Sequence, residues 1–334
     1  IKRRHTEDTY SMRNGNLERD DVPTVAKATN LEETDALSVF IQDTISINRL
    51  DLTVGLRGEY LDAFFQNEAP GKEGEWLKKD SSIILPSISG FYTVNDDFGL
   101  LFGIHEGFIP TSPAELDDVE IENSVNYELG GRYSNNGTQL EVVAFFNDIK
   151  NLKESCTFST SASSNCELDQ EYNGSAVDVY GVEFSTSHTF SLDSELDIPV
   201  SLVYTYTSSE FKTTFNSDFS MWGEITAGDE LPYLPENQLT LSAGIVGDRW
   251  EINVIGRYID EMKEASGEGV TLSGVTTEAY SIVDISAKYD LIEFGAIYLK
   301  VDNIFDEQEV VSRRPYGARP SKPMMAQIGY QYSF

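Results

Sequence analysis

Cationic side chains are scarce in this sequence, and three arginines near its end are the residues best suited to bind an anion. The 334 residues include 24 Lys and Arg against 56 Asp and Glu, a formal net charge of −32. The arginines share one segment with a tyrosine: Arg313, Arg314, Tyr316 and Arg319. Guanidinium groups bind carboxylates through two parallel hydrogen bonds, so these residues are candidates for binding an anionic ligand. The abundance of acids favours the other interpretation, in which these arginines pair with acidic side chains of the protein itself.

Two further arginines, Arg132 and Arg257, lie in segments that alternate between apolar and polar residues. In each segment the arginine falls on the polar side, and Arg57 has the same position in a third segment. If that side faces a water-filled interior, these arginines either contribute to anion binding or pair with neighbouring acids. Both interpretations stay open for them, as for the C-terminal group.

The only two cysteines, Cys156 and Cys166, flank a segment rich in serine and threonine. Outside the cytoplasm a pair spaced in this way usually forms a disulfide. Closing a loop of about ten residues would stabilise the fold by roughly 2–3 kcal/mol. A metal site is the alternative, but the histidines, His5, His105 and His188, are far apart in the sequence. We therefore predict a disulfide, with no metal site and no cofactor.

The composition excludes other functions. So large a negative charge repels phosphate backbones, and we expect no nucleic-acid partner. The sequence has no glycine-rich phosphate loop, no GxSxG motif and no convincing acid–base group, so we predict that the protein is not an enzyme. The acidic run at 115–122 could bind Ca²⁺ or form a solvated loop. An aromatic content of 11% indicates a folded chain despite the charge.

Apolar and polar residues alternate along almost the whole chain, a period of two that is typical of β-strands. In one stretch the apolar side carries Leu50, Leu52, Val54, Leu56 and Tyr60. Amphipathic helices are nearly absent from the pattern. We predict an all-β fold with thirteen strands, at about 35–45, 50–65, 81–94, 98–108, 123–134, 138–149, 176–190, 196–211, 235–246, 249–262, 276–289, 294–304 and 322–334.

The connections between these strands alternate between short turns, such as Asn48-Arg49, and long loops, such as 150–175. Many tyrosines and phenylalanines lie near strand ends, as in the aromatic girdles at membrane interfaces. Both features indicate a transmembrane up-and-down antiparallel β-barrel. A soluble sandwich or propeller also alternates, but soluble strands usually have only about five or six residues. A propeller would in addition show an internal repeat.

The predicted strands begin at residue 35, so the chain has two predicted parts. Residues 1–34 are polar and are predicted to be an extracellular loop entered in mid-course, and residues 35–334 to be the C-terminal part of a barrel. Thirteen strands cannot close alone without exposing two edges to lipid, where unpaired backbone groups cost several kcal/mol each. We expect the remaining strands to lie upstream in the protein.

Several motifs, taken in order along the chain, carry a family resemblance. They are FIQD at 40–43, GIHEGFIPTSPAE at 103–115, NSVNYELGGRY at 123–133, VDNIFD at 301–306, RRPYGARPSKP at 313–323 and the ending YQYSF at 330–334. In this order they resemble TonB-dependent outer-membrane receptors, and the RRPYGARP segment is most similar to the ferric-citrate and siderophore receptors.

The resemblance implies a 22-stranded barrel around an N-terminal plug that this chain lacks. It implies import of a small iron chelate, powered by the inner-membrane protein TonB, which would contact the missing N-terminal part. Outer-membrane lipid and lipopolysaccharide would surround the barrel. It also implies an assembly signal in the last strand, carried by Tyr330, Tyr332 and Phe334, although an ordinary lipid-facing aromatic row is the alternative.

Other roles stay open for the same resemblance. The cargo could be cobalamin or an oligosaccharide, for which the loops offer aromatic platforms: Tyr172, Phe215, Phe219, Trp222 and Tyr233. The chain could also be one half of a split barrel, with a binding or assembly role.

Overall fold

The architecture is a single large antiparallel sheet in a computed structural model. The structure describes residues 2–7, 10–13, 16–19, 25–67, 74, 76–113, 119–155, 171–192, 196–217, 222–264, 276–291, 294–312 and 318–332. Side chains are described within these ranges from residue 31 onward, except those of 67 and 155. Within these ranges, no helix is long and apolar enough to cross a membrane.

The large sheet has fourteen strands, and each pairs with its neighbours in chain order. They are β1 (Lys2–Glu7), β2 (Val25–Ile47), β3 (Leu50–Asn67), β4 (Leu77–Thr93), β5 (Phe98–Ile109), β6 (Glu122–Asn135), β7 (Thr138–Lys150), β8 (Val177–Ser191), β9 (Asp197–Phe211), β10 (Asn237–Val246), β11 (Trp250–Ile259), β12 (Tyr280–Asp290), β13 (Ala296–Asp302) and β14 (Met325–Gln331).

All thirteen predicted strands are present, and β1 is an addition. This strand lies in the segment predicted as a loop, where it pairs with the first residues of β2, Val25 to Leu31. The pattern did not predict it because Lys2–Glu7 is polar throughout and has no alternation. Whether residues 1–34 form an extracellular loop stays a prediction, and so does the boundary at residue 35.

One rim of the sheet carries short turns whose residues suit them. Asn48 has φ of 55°, and Asn136 and Gly137 have φ of 46° and 78°. Two-residue hairpin turns need such positive φ values, which asparagine and glycine adopt at least cost. These residues therefore fix where adjacent strands reverse, and with it their register.

The opposite rim carries the long connections, and several of them contain a short hairpin of their own. These pairs are Lys153–Ser155 with Glu171–Asn173, Phe215–Asn216 with Glu224–Ile225, Met262–Lys263 with Thr276–Thr277, and Val310–Ser312 with Arg319–Pro320. The predicted asymmetry between a turn rim and a loop rim is confirmed.

The register aligns apolar side chains into one continuous outer face. Across β4 to β8, one row joins Ile88, Ile104, Tyr127, Phe146 and Tyr180 as direct cross-strand neighbours. These side chains remain 37–42% exposed although they lie in mid-strand. A row of large apolar side chains on the open face of a single-layer sheet is stable in contact with lipid.

The other face of the same strands is polar. Ser87, His105, Asn126 and Asn147 are neighbours in the next row. Within the described residues the sheet is open, with edges at β1–β2 and at β14. Large apolar side chains on these edge strands are the most exposed, Ile41 at 72% and Ile328 at 80%.

Candidate functional site

Arg132 and Arg257 both lie on the polar face, and each is paired with an acid on the adjacent strand. Arg132 Nε is 2.5 Å from Glu141 Oε2, and Arg257 Nη1 is 2.6 Å from Asp284 Oδ2. The side chains of Arg132 and Arg257 are 57% and 44% exposed. A guanidinium group has five N–H donors, so each arginine keeps donors for a ligand. Their predicted role in ligand binding stays a prediction.

Arg57, on β3, is also ion-paired, but with an acid two residues further along its own strand. It forms an ion pair with Glu59, which is almost fully buried, and its Nε donates to Ser38 Oγ at 3.1 Å. Two other carboxylates on this face, Glu128 and Glu183, have no ion-pair partner in the described part of the chain. The polar face therefore carries surplus negative charge around arginines that are already neutralised.

A shallow pocket of about 390 Å³ opens on the polar face near the turn rim. Its polar lining includes Asp51, Ser87, His105 and Glu128. Gly103 lies between Ser89 and Glu128 in the register, and the missing side chain there opens the wall. His105 lies in mid-strand on β5, on the polar face of the sheet.

The last long connection is anchored to the wall by the VDNIFD motif. Asp302 is buried and forms ion pairs with Lys300, at 2.8 Å, and with Lys322 on the returning segment. Two lysines therefore hold one buried carboxylate between the end of β13 and the start of β14. This arrangement fixes both ends of the segment that carries the predicted arginine group.

Asn303 is the centre of the same motif. It is 1% exposed and has φ of 49°, a conformation that asparagine tolerates better than most residues. Its Nδ2 donates to the carbonyls of Glu307 at 2.9 Å and Lys322 at 2.7 Å, and its Oδ1 accepts from Glu307 N at 3.0 Å. Its own N–H donates to Asp284 Oδ1 at 2.8 Å. The same Asp284 binds Arg257, so loop and wall share one network.

Of the C-terminal arginine group, Arg319 is described. It is exposed and pairs with Ser312 in a short hairpin above the wall. Arg313, Arg314 and Tyr316 lie outside the described residues. The structure therefore does not test whether the three arginines converge.

Two other predicted sets fall partly or wholly outside the described residues. Cys156 and Cys166 both lie outside them, so the disulfide stays a prediction. In the last strand, Tyr330 and Tyr332 are 58% and 52% exposed, and Tyr330 Oη donates to the carbonyl of Phe294. Phe334 lies outside the described residues. The assembly role of the three aromatics is not tested.

A buried lysine that the sequence did not reveal locks two long connections together. The Lys153 side chain is 5% exposed, and its Nζ lies 2.6 Å from Glu171 Oε2 and 2.7 Å from the carbonyl of Pro110. Its backbone N–H donates to Glu122 Oε2 at 2.7 Å. The GFIPTSP motif is thus tied to a hairpin more than forty residues away. Neither the apolar–polar periodicity nor the spacing of motifs in the sequence indicates a contact between residues 43 positions apart.

The aromatic platforms proposed for a sugar cargo are largely inaccessible. Trp222 is 2% exposed and packs with Phe211 and Ile225, and Tyr172 and Phe215 pack partly buried against the same cluster. A ring stacks on a sugar only if one face is free, and Trp222 has none. Phe219 lies outside the described residues.

Glu309 and Asp260, on the loop side, have pKa values that are shifted in opposite directions. A hydrogen bond with Glu278 raises the pKa of Glu309, and burial and the charges of Glu278 and Glu307 add to the shift. The side-chain amide of Asn237 lowers the pKa of Asp260 by donating to its carboxylate. The contact with Glu278 thus favours the protonated form of the Glu309 carboxyl.

Known proteins of one family match this chain in sequence. The family model described as "TonB dependent receptor-like, beta-barrel" matches residues 3–304. The pesticin receptor of Yersinia pestis is 22% identical over 271 residues, which cover 76% of this chain and 35% of that protein. The chain therefore spans about a third of the length of the curated relatives it matches.

Solved structures agree on the fold. The ferric citrate transporter FecA, in its unliganded form, superposes with a TM-score of 0.71 at 17% identity, over 94% of this chain and 47% of that one. The siderophore receptor PiuA from Acinetobacter baumannii gives a TM-score of 0.71 at 15% identity, over 94% and 44%.

These matches confirm the resemblance drawn from the motifs and the predicted fold class. The sheet is an antiparallel up-and-down β-barrel wall, with its apolar face toward lipid and its polar face toward the lumen. The location in the outer membrane of a Gram-negative bacterium is confirmed with it. The chain belongs to the family of TonB-dependent receptor β-barrels.

Proposed function

We propose that this chain is part of a receptor that imports a small iron chelate, of the ferric siderophore or ferric citrate type, across the outer membrane. The observation that carries the proposal is the polar wall face with its ion-paired, solvent-facing arginines, in a barrel of this family. The names of its structural neighbours, a ferric citrate transporter and a siderophore receptor, support the same cargo class.

The proposed ligand contacts follow from donor chemistry. Arg132 and Arg257 keep guanidinium N–H groups directed into the lumen beside their acid partners, and such groups bind carboxylates or other oxyanions with charge-assisted hydrogen bonds. Arg319 adds a donor above them at the loop rim, and Arg313, Arg314 and Tyr316 belong to the same segment. The protein would need no cofactor of its own and would catalyse no covalent chemistry.

The proposed partners lie mostly outside this chain. TonB would supply energy from the proton-motive force through an N-terminal part, and a plug and further strands would complete the barrel. The relatives leave room for both, since this chain covers 35% of their length. Lipid and lipopolysaccharide would contact the apolar outer face.

Among the alternative cargoes, an oligosaccharide is supported least. The burial of Trp222 removes the largest aromatic platform from the solvent. A split barrel half agrees with the open edges at β2 and β14, but it would agree equally with a barrel completed by the same polypeptide.

Growth on single iron sources tests the cargo. A strain that lacks the gene is supplied in turn with ferric citrate, catecholate, hydroxamate and phenolate chelates, with and without the gene restored. We expect one class to restore growth only when the gene is present. Unchanged growth on every chelate would refute an iron cargo.

A pair of variants then separates ligand binding from wall structure. Arg132→Gln and Glu141→Gln each break the same ion pair. If Arg132 binds an anionic chelate, Arg132→Gln raises the apparent Kd about 10–100-fold, as expected for a charged hydrogen bond of about 1.5–3 kcal/mol. Glu141→Gln then leaves the affinity unchanged or increases it. Equal losses of affinity in both variants would show that the ion pair supports the structure of the wall and that Arg132 does not bind the ligand.

A further inference from the structure

Four apolar side chains near the loop rim are buried far more deeply than a single-layer sheet allows. Val177, Phe211, Trp222 and Ile225 are only 0–2% exposed. Val177 begins β8 and Phe211 ends β9, whereas the other two belong to the connection between β9 and β10. Such burial requires a second layer over the sheet, and the connection supplies it by folding back onto the two strands.

This second layer lies on the lumen side of the wall. Along β8, side chains alternate, and Tyr180 belongs to the apolar row that faces lipid. Val177, three residues before it, therefore points to the opposite face, which also carries Glu183. Phe211 is the direct cross-strand neighbour of Val177 and shares its face. The connection thus covers part of the polar wall instead of extending outward from the rim.

The layer is held by packing and by backbone hydrogen bonds. The Trp222 ring meets Phe211 and Phe215 edge to face, with centroids 6.2 Å apart in each case. Phe211 N donates to the carbonyl of Asp229 at 2.9 Å, and Gly228 N donates to the carbonyl of Phe211 at 2.8 Å. The chain therefore returns along the end of β9 as a bonded segment.

Ion pairs fix the layer at both ends. Lys212 Nζ lies 2.6 Å from Asp178 and 3.0 Å from Asp148, so the start of the connection is tied to β8 and β7. Near its end, Glu230 pairs with Lys263 of the following connection at 2.8 Å. Three strands and a neighbouring loop thus constrain one segment.

We propose that residues 212–217 and 222–234 form a fixed collar that narrows the cell-surface mouth of the barrel and sets the largest cargo that enters. Packed layers lie about 10 Å apart, so the collar narrows the lumen by roughly that amount on this side. The proposal rests on the proposed import function and deepens it, because it assigns size selection to a segment that stays in place during transport.

Locking the collar tests whether it stays in place. Val177→Cys and Ile225→Cys are combined in the full protein with Cys156→Ser and Cys166→Ser, and the cross-link is verified by mass spectrometry. A fixed collar predicts that iron uptake with the cross-link stays within twofold of uptake after reduction. Uptake that falls tenfold on oxidation and returns on reduction would show a moving lid and overturn the proposal.

Loosening the collar tests size selection. Trp222→Ala removes the centre of the cluster, and Trp250→Ala, an exposed tryptophan at the opposite rim, is the matched control. We expect Trp222→Ala to gain, by tenfold or more, uptake of a chelate too large for the wild type, while the control does not. An unchanged size limit in a variant whose collar has become sensitive to protease in intact cells would overturn the proposal.

A distance measurement that needs no cargo tests the fixed collar independently of the proposed import function. Spin labels at Thr226, on the collar, and at Thr240, on the wall, report the distance between the two in the full protein. A single narrow distribution supports a fixed collar even if no iron chelate is imported, in which case only the proposed function fails. A broad or two-peaked distribution refutes the fixed collar whatever the cargo is.

Discussion

Replacing Asn303 should detach the last long connection from the barrel wall. The free-energy cost of the replacement can be estimated from the contacts of its side chain. The side chain makes three hydrogen bonds, two to carbonyls and one from Glu307 N. At about 1 kcal/mol each, their loss costs about 3 kcal/mol. Alanine also resists φ near 49°, which adds about 1 kcal/mol. We expect about 4 kcal/mol for Asn303→Ala and about 3 for Asn303→Gly, because glycine adopts positive φ freely.

Hydrogen exchange measured by mass spectrometry on the full protein checks this order. The reporter is the N–H of Ile304, which donates to the carbonyl of Val283 at 2.8 Å. Local opening should become about 10³-fold more frequent in Asn303→Ala and about 10²-fold in Asn303→Gly, at 1.4 kcal/mol per factor of ten. If exchange accelerates less than tenfold in both variants, the hydrogen bonds of Asn303 do not hold the connection. If exchange accelerates equally in both, only the predicted cost of placing alanine at positive φ is refuted.

Three further predictions follow from the loop side and the wall. Lys153→Met should destabilise the junction of the two connections by about 3 kcal/mol, because the buried ammonium group loses its contacts with Glu171 and with the carbonyl of Pro110. Protease cleavage within 109–122 reports this loss, and cleavage as slow as in the wild type would contradict it. The raised pKa of Glu309 means that its contact with Glu278 stabilises the loops at acid pH and loses this effect as pH rises through that pKa, above the ordinary 4.5; Glu309→Gln should abolish the pH dependence of cleavage within 305–321, and a persisting dependence would point to another group. Gly181→Ala places a methyl group 1.9 Å from the carbonyl of Tyr206, so folded receptor on unheated gels should decrease, whereas Gly256→Ala, where the nearest atom is 3.9 Å away, should not change it.

The strands and their faces could be predicted because both depend on residues that are close together in the sequence. Leu50 to Tyr60 alternates with period two, and Asn48 and the pair Asn136-Gly137 stand where φ must be positive. A period of two assigns every side chain to a face once the turns fix the register. The pairing of β1 with β2 escaped prediction because polar residues beyond the lipid need not alternate.

The site was less predictable, because it depends on contacts between distant segments. Lys153 and Pro110, 43 residues apart, meet only after the loops fold. Trp222 was interpreted as an open platform, since sequence cannot show that a loop folds back over its own wall. The polar position of Arg132 was predicted, yet its acid partner follows from the register of β6 and β7.

Energised iron uptake tests the central claim most directly. The initial rate of ⁵⁵Fe accumulation is measured for the chelate that restores growth, in cells with the gene, without the gene, and with the gene but without TonB. We predict saturable uptake only in the first strain, abolished by a protonophore. Equal uptake with and without TonB, or with and without the gene, would contradict the account.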